Sequence, residues 1–210
     1  MNLKIISICL LGFASGLPYM LVFVTLGTWL AVIDLDLATI GFFAWIVLTY
    51  SLKFLWSPLV DNFTVPILSI YGKRKSWIIL MQILIIIFLL LISFTDPSIN
   101  LSLFAFFAFL VAFFGSIQDI AIDAFRIELA EIDEQGNLAA SYQFGYRIAI
   151  LIATSGALIL ASRTSWSFVY QVMSLFMILG IIGLSLTPEK KNVSLSKLGI
   201  QDSFIKPLQD

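Results

Sequence analysis

Long apolar stretches recur along the chain, and they restrict it to one class of fold. Six stretches of about 20 residues each are apolar enough and long enough to cross the roughly 30 Å hydrocarbon core of a bilayer as helices. Hydrophobic residues make up 60% of the 210 residues and charged residues 12%, a composition far from that of soluble domains. We therefore predict an all-α membrane protein whose six transmembrane helices cover residues 5–33, 38–60, 77–94, 101–124, 139–161 and 166–187.

Basic residues in the polar joints predict the orientation. Positive loops stay in the cytoplasm, and a cytoplasmic N-terminus leaves only Arg163 in an outer loop. The start of the chain also resembles a signal peptide, but its apolar run continues, so an uncleaved first helix is expected. We predict that both termini are cytoplasmic, because this places nine basic residues inside: Lys4, Lys73, Arg74, Lys75, Arg126, Lys190, Lys191, Lys197 and Lys206.

The residue types present narrow the chemistry. Cys9 is the single cysteine, which excludes an internal disulfide. Histidine is absent, which excludes a histidine-based metal site or proton relay. The net charge is −1, so nothing indicates a nucleic-acid partner. No cofactor or metal is expected, and any transferred proton must be carried by a carboxylate.

Charged residues also lie inside the predicted spans, where they are costly and need partners. Asp119, Asp123 and Arg126 are spaced i, i+4 and i+7 along the fourth predicted helix, so they share one face of it. At 1.5 Å per residue, Lys53 in the second helix and Arg147 in the fifth reach a similar depth. We predict an internal ionic cluster in the cytoplasmic half of a helix bundle.

Two interpretations of this cluster are open. In the first, the charges are structural and lock the second, fourth and fifth helices together. In the second, they line a water-filled pathway with Asp119 as the proton carrier, because burial favours a neutral carboxyl whereas a nearby cation favours the carboxylate. The pathway would comprise Asp119, Asp123, Arg126, Arg147, Lys53 and Gln118, with further hydrogen-bonding groups at Tyr142, Gln143 and Tyr146.

An enzyme is a competing class. Paired aspartates in a membrane helix resemble those of intramembrane aspartyl proteases and CDP-alcohol phosphotransferases, where carboxylates perform acid–base or metal chemistry. The proteases need a G-x-G-D sequence, and the phosphotransferases need a D-G and a further downstream D-x-x-x-D. Both patterns are absent from the sequence, so we do not expect an enzyme.

Two polar joints differ in character. The joint between the fourth and fifth helices is acidic, with Glu128, Glu131, Asp133 and Glu134, and is interpreted as a solvated turn.

The joint between the second and third helices reads SPLVDNFTVPILSIYGKRKSW and resembles the loop signature of the major facilitator superfamily, G-x-x-x-D-R-x-G-R-R. Ser57 and Asn62 replace the first glycine and first arginine of that signature, and the matching residues are Asp61, Gly72, Lys73, Arg74 and Lys75.

Read together, the motifs resemble the AmpG muropeptide permeases, relatives of the acetyl-CoA transporters. The order and spacing match over nearly the whole chain, although positions 57, 62 and 125 are commonly alanine, arginine and tyrosine in that family. The matching segments are Gly16-Leu17-Pro18, LATIG from Leu37, LKFLWSPLVD from Leu52, GKRKSW from Gly72, QDIAIDAFR from Gln118 and GYR from Gly145.

The resemblance implies one half of a major facilitator fold, built from two inverted three-helix repeats. It also implies proton-coupled import of anhydromuropeptides from periplasm to cytoplasm across the cell inner membrane. The charges of the fourth and fifth helices would then serve coupling, and the loop from Asp61 to Lys75 would act as a gate that steadies one conformation of the cycle.

The resemblance covers only an N-terminal half. Residues 1–187 are predicted to form the six-helix unit and residues 188–210 a polar cytoplasmic connector. Three arrangements are open: a split transporter with a separate C-terminal half, a dimer of two copies, or a truncated product that does not transport and acts at most as a membrane scaffold. The expected partners are a muropeptide, protons and the lipid bilayer.

Overall fold

The structure, a computed structural model, describes residues 3–66 and 68–187, and long helices make up most of their regular structure. Five are long and apolar enough to cross a membrane, and a sixth span arises if two helices bent by 41° are counted as one. We number them α1 Leu3–Val32, α2 Leu37–Ser51 with Lys53–Asn62, α3 Lys73–Phe94, α4 Leu101–Leu129, α5 Ile132–Ala161 and α6 Trp166–Ser185. The predicted all-α fold is confirmed, and the predicted connector, 188–210, lies outside the described residues.

Side-chain caps stand at the starts of α2, α4 and α6. The carboxylate of Asp36 accepts the backbone N–H of Thr39 at 2.8 Å at the start of α2, and the hydroxyl of Thr39 donates to it at 2.6 Å. These hydrogen bonds lower the pKa of Asp36. Asn100 caps α4 and Ser165 caps α6 in the same way. Such caps satisfy N–H groups that the first turn leaves unpaired.

Helix α4 extends one turn further than the hydrophobic pattern predicts. The apolar run ends near residue 124, but the helix continues to Leu129. Polar residues can extend a helix beyond the hydrocarbon because the membrane limits hydropathy, not helix length. As a result, Glu128 belongs to the last turn of α4 and not to the joint that follows.

Helix α1 is at the centre of the bundle and packs against α4, α5 and α6. Its closest approach is to α5, where glycines face backbone atoms of the other helix. A methyl group at Gly12 would collide with the carbonyl of Tyr142, and one at Gly145 would collide with the carbonyl of Cys9. Small residues allow backbones to approach closely in membrane helix pairs.

The helix pairings have an internal symmetry. Contacts join α1 with α2, α4, α5 and α6, α3 with α4 and α6, α4 with α2 and α5, and α5 with α6. Exchanging α1 with α4, α2 with α5 and α3 with α6 converts every one of these pairs, apart from α5 with α6, into another member of the set. Since α1 and α4 run in opposite directions, the pattern is the one expected of two inverted three-helix repeats.

We expect Gly145→Ala to destabilise the chain, because its new methyl group would meet backbone and not a flexible side chain. Overpacking of this kind costs about 1–3 kcal/mol. The control is Gly136→Ala on the same helix, where nothing lies within 4 Å and alanine should stabilise by up to about 1 kcal/mol. Unfolding of the purified chain in detergent, followed by circular dichroism, measures both. Equal stability of the two variants would contradict the close contact between α1 and α5.

Candidate functional site

The centre of the candidate site is a carboxylate that joins three helices. Asp119 on α4 is half-buried and accepts a hydrogen bond from the hydroxyl of Ser15 on α1. Ser15 in turn accepts a hydrogen bond of 2.8 Å from the hydroxyl of Tyr142 on α5. The three side chains form one continuous hydrogen-bonded chain across the middle of the bundle.

Ser15 is the one member of these three hydrogen-bonded side chains that was not predicted as a site residue from the sequence. It is 1% exposed and lies between Gly12 and Gly16, both of which contact the backbone of α5. The close approach of the two helices allows a short side chain to reach both Asp119 and Tyr142. The sequence signal that could have indicated Ser15 is a hydroxyl side chain placed between two glycines of the same helix.

The remaining predicted residues of α4 lie around the same carboxylate. Asp123 and Arg126 face each other, with Oδ1 and Nη2 3.5 Å apart, and the Arg126 guanidinium lies 5.7 Å from the centre of the Tyr142 ring. Gln118 is buried, and its Nε2 donates to the carbonyl of Ala14 at 2.9 Å. The predicted shared face of α4 is therefore directed at α1 and α5.

The two intramembrane cations have different positions. Lys53 on α2 is half-buried and interacts electrostatically with Asp119, but the described residues contain no direct ion pair between them. Arg147 on α5 is exposed. Gly145 and Ala149, two residues to either side, are buried against the bundle. A step of two residues turns a helix by about 200°, so Arg147 lies on the opposite side and outside the cluster.

Tyr50 on α2 interacts electrostatically with Asp119 and packs against further aromatic rings. The ring of Tyr50 lies 5.0 Å from that of Tyr19 and 5.6 Å from that of Phe23. Among the described residues, Tyr50 Oη, Gln118 Oε1 and Arg126 Nε are buried without a hydrogen-bond partner. Buried polar atoms normally have partners, so these three atoms have unused hydrogen-bonding capacity. The described residues contain no group of three or more His, Cys, Asp or Glu side chains that could hold a metal ion.

A second polar cluster lies at one end of the bundle and is built around Arg74 at the start of α3. The side chain is 4% exposed. Its Nη1 donates to Asp61 Oδ1 at 2.8 Å and to the carbonyl of Val60 at 3.3 Å, while its Nε donates to Glu128 Oε1 at 2.8 Å. One guanidinium thus joins the ends of α2 and α4.

The rest of the predicted gating loop extends this cluster. Gly72 has φ 102°, a conformation that favours glycine, and it turns the chain into α3. Lys73 donates to the carbonyl of Asp61. Lys75 donates to the carbonyl of Leu184 at 2.8 Å, next to the end of α6. The loop therefore contacts three helices at one end of the bundle.

The interpretation of the acidic run as a solvated turn is wrong for one of its members, Glu128. Glu128 lies on the last turn of α4 and pairs with Arg74. Glu134 pairs with Lys4 at 2.6 Å. The physical reason is the extra turn of α4, which brings its acidic end beside the basic first turn of α3.

We expect Arg74→Ala and Glu128→Ala to be strongly non-additive in a double-mutant cycle. Because Arg74 is almost fully buried, its pairing should give a coupling energy of about 1–3 kcal/mol. The comparison pair is Lys4 with Glu134, whose side chains are 27% and 31% exposed and whose coupling should not exceed about 1 kcal/mol. The free energy of unfolding in detergent is the measured quantity. Additive effects at Arg74 and Glu128 would contradict the ion pair.

Comparison with known proteins places this arrangement in a family. Residues 8–207 match the Major Facilitator Superfamily. The anhydromuropeptide permease of Escherichia coli K12 is 36% identical over 202 residues, which cover 96% of this chain and 40% of that protein. The putative transporter AmpG 4 of Rickettsia conorii is 40% identical over 192 residues, which cover 90% of this chain and 46% of that protein. The chain spans about half the length of the curated relatives it matches.

These relatives confirm the resemblance to the AmpG permeases that the motifs predicted. Six apolar helices with no strand among the described residues are consistent with half of the superfamily fold, and they make the chain a multi-pass membrane protein. These relatives bear the names of a permease and a putative transporter. The chain belongs to the Major Facilitator Superfamily.

Proposed function

We propose that the chain is one half of a proton-coupled importer that carries anhydromuropeptides from the periplasm to the cytoplasm. The E. coli relative is an anhydromuropeptide permease, and the similarity covers nearly all of this chain. The proposed site is the surface around Asp119, and the proposed location is the cell inner membrane. The observation that carries the proposal is the hydrogen-bonded carboxylate at the junction of α1, α4 and α5.

Proton coupling is assigned to Asp119. The chain contains no histidine, so a carboxylate is the natural proton carrier. A carboxylate that only locked helices together would be expected to pair directly with a cation. Asp119 is instead bonded to a neutral hydroxyl, with Lys53 interacting from a greater distance. This leaves both its charged and neutral forms accessible, which favours the pathway interpretation over the structural one.

The lining around Asp119 suits a sugar-containing ligand. Tyr19 lies between Tyr50 and Tyr146, with ring centres 5.0 Å and 6.4 Å away, and Tyr142 follows 6.2 Å from Tyr146. Aromatic rings with polar ends contact apolar and polar parts of a ligand at once.

The cluster around Arg74 is proposed as the gate. Its bonds to Asp61 and Glu128 tie α2 to α4 at the end of the bundle that carries the N-terminus. Ion pairs of this kind can hold one of two helix arrangements and break in the other. In this proposal the gate lies on the cytoplasmic side, and both termini of the chain are cytoplasmic.

A second six-helix unit is proposed to complete the pathway. Apolar side chains are exposed on α2 and α5, including Trp45 at 70% and Phe144 at 64%. The exposed Arg147 lies one turn from Phe144 and cannot face hydrocarbon without large cost. A partner unit over this side of α5 would give Arg147 a polar environment. The unit would be a separate C-terminal half or a second copy of the chain.

Transport can be measured as accumulation of labelled anhydromuropeptide in E. coli cells that lack their own permease. The chain is expressed alone, or together with the C-terminal half of the E. coli relative, and its amount in the membrane fraction is verified. We expect protonophore-sensitive accumulation in at least one arrangement. Accumulation by the chain alone would favour a complex of two copies. Absence of accumulation from both arrangements, despite normal insertion, would contradict the proposed transport function.

In the arrangement that transports, Asp119→Asn is expected to reduce proton-driven accumulation to the level of cells without the chain. The substitution keeps the shape of the side chain but removes its ability to exchange a proton. The matched control is Asp133→Asn, an identical change at an exposed residue, which should leave accumulation unchanged. Normal protonophore-sensitive accumulation by the Asp119 variant would contradict the coupling role.

The proposed orientation predicts which loops a membrane-impermeant thiol reagent reaches. In a chain whose Cys9 is replaced by alanine, a single cysteine at exposed Ser98 or exposed Asp133 provides the label. Ser98→Cys should react in intact spheroplasts, and Asp133→Cys should react only after permeabilisation. The reverse pattern would place the termini outside.

A further inference from the structure

We infer that Ser15 and Tyr142 form a hydrogen-bond relay whose direction is set by the charge on Asp119. Through this relay, a change in the protonation of Asp119 on α4 changes the hydrogen bonds of Ser15 on α1 and Tyr142 on α5. The inference rests on the proposed function, since it takes Asp119 as the group that exchanges a proton. It adds two positioning residues that act through Asp119.

The direction of the relay follows from the number of hydrogens available. An ionised carboxylate only accepts hydrogen bonds, and each hydroxyl has one hydrogen to donate. Ser15 gives its hydrogen to Asp119, so it can only accept from Tyr142. Both hydroxyls therefore point their hydrogens towards the carboxylate when Asp119 is charged.

Protonation of Asp119 on Oδ1, the oxygen that Ser15 contacts, reverses this arrangement. The new Oδ1–H donates to Ser15 Oγ, and Ser15 turns its own hydrogen towards Tyr142 Oη. Tyr142 then accepts where it had donated, and its own hydrogen no longer points at Ser15. One proton is gained, at Asp119, while Ser15 and Tyr142 each keep the hydrogen they had. A single protonation thus changes hydrogen bonds on three helices.

The packing prevents the hydroxyls from separating when the charge changes. Ser15 is 1% exposed, so bulk water cannot replace its partners. Gly12 and Gly16, on either side of it, contact the carbonyls of Tyr142 and Tyr146. The distance between α1 and α5 is therefore fixed by backbone contact, and the response to protonation is a change in bonding direction.

Other titratable and charged groups also face this site from the packed helices. They can titrate or change the charge around Asp119, but none of them forms a direct hydrogen bond to Ser15 among the described residues. They are Tyr19 on α1, Tyr50 and Lys53 on α2, Asp123 and Arg126 on α4, and Tyr146 on α5.

A purely structural role for the two hydroxyls gives a different expectation. In that case Ser15 and Tyr142 only satisfy a buried carboxylate, and Tyr142 keeps the same hydrogen bond at every pH. In the relay, Tyr142 changes from donor to acceptor as Asp119 takes up its proton. The hydrogen-bonding state of Tyr142 as a function of pH therefore separates the two roles.

Infrared difference spectroscopy of the purified full chain in lipid nanodiscs can follow both groups during a pH titration. The carboxyl band that Asp119→Asn removes reports Asp119. The tyrosine band that Tyr142→Phe removes reports Tyr142, and Tyr146→Phe verifies that the band does not come from the tyrosine one turn away. We expect the Tyr142 band to shift with the same midpoint as the Asp119 band, and the shift to be lost in Asp119→Asn.

Ser15→Ala tests the link between the two groups. We expect the Asp119 band still to titrate in this variant and the Tyr142 response to be lost, while Ser15→Thr, which keeps the hydroxyl, restores it. Ser7→Ala, which removes another buried hydroxyl from α1, should leave the response intact. The relay would be overturned if the Tyr142 band did not shift as Asp119 titrates, or if that shift persisted in Ser15→Ala. Neither result would contradict the proposed function. An Asp119 carboxyl that does not titrate would overturn the proposed proton coupling, and the relay with it.

Discussion

The close contact between α1 and α5 determines where the functional side chains lie. Gly12 and Gly145 allow the two backbones to approach until no methyl group would fit between them. Only at this distance can the short side chain of Ser15 reach both Tyr142 on α5 and Asp119 on α4. The contact contributes packing in a lipid environment, where the hydrophobic effect does not hold helices together. The same contact therefore supports the fold and assembles the site.

Helix α4 connects the two polar clusters. Asp119 lies at the junction of α1, α4 and α5, and Glu128 lies in the last turn of α4, nine residues later and about 14 Å away along the helix axis. The first is bonded to α1 through Ser15, and the second to the start of α3 through Arg74. A movement of α4 would therefore change both clusters together. This provides a physical route by which protonation at the centre can influence a gate at the end of the bundle.

Much of the fold could be predicted from the sequence, because hydropathy reports the six spans and helical spacing reports the shared face of Asp119, Asp123 and Arg126. The site was less accessible for three separate reasons. Ser15 carries no motif, and its role depends on tertiary approach of two helices. Glu128 became visible as a partner of Arg74 only because α4 continues beyond its apolar run. Arg147 was predicted to join the cluster from its depth along α5 alone. Its exposed position depends on which side of α5 packs against α1, and depth along a helix does not determine the rotation of the helix about its axis.

If Asp119 carries the proton that drives transport, ligand binding at the site must change its protonation. This can be measured as proton exchange with a weakly buffered solution when anhydromuropeptide is added to the chain, together with its second six-helix unit, in a pH range where Asp119 titrates. We expect wild-type protein to take up or release protons in proportion to bound ligand, and Asp119→Asn to bind without this exchange. Equal proton exchange in the two proteins would contradict the assignment of Asp119 and place the coupling group elsewhere.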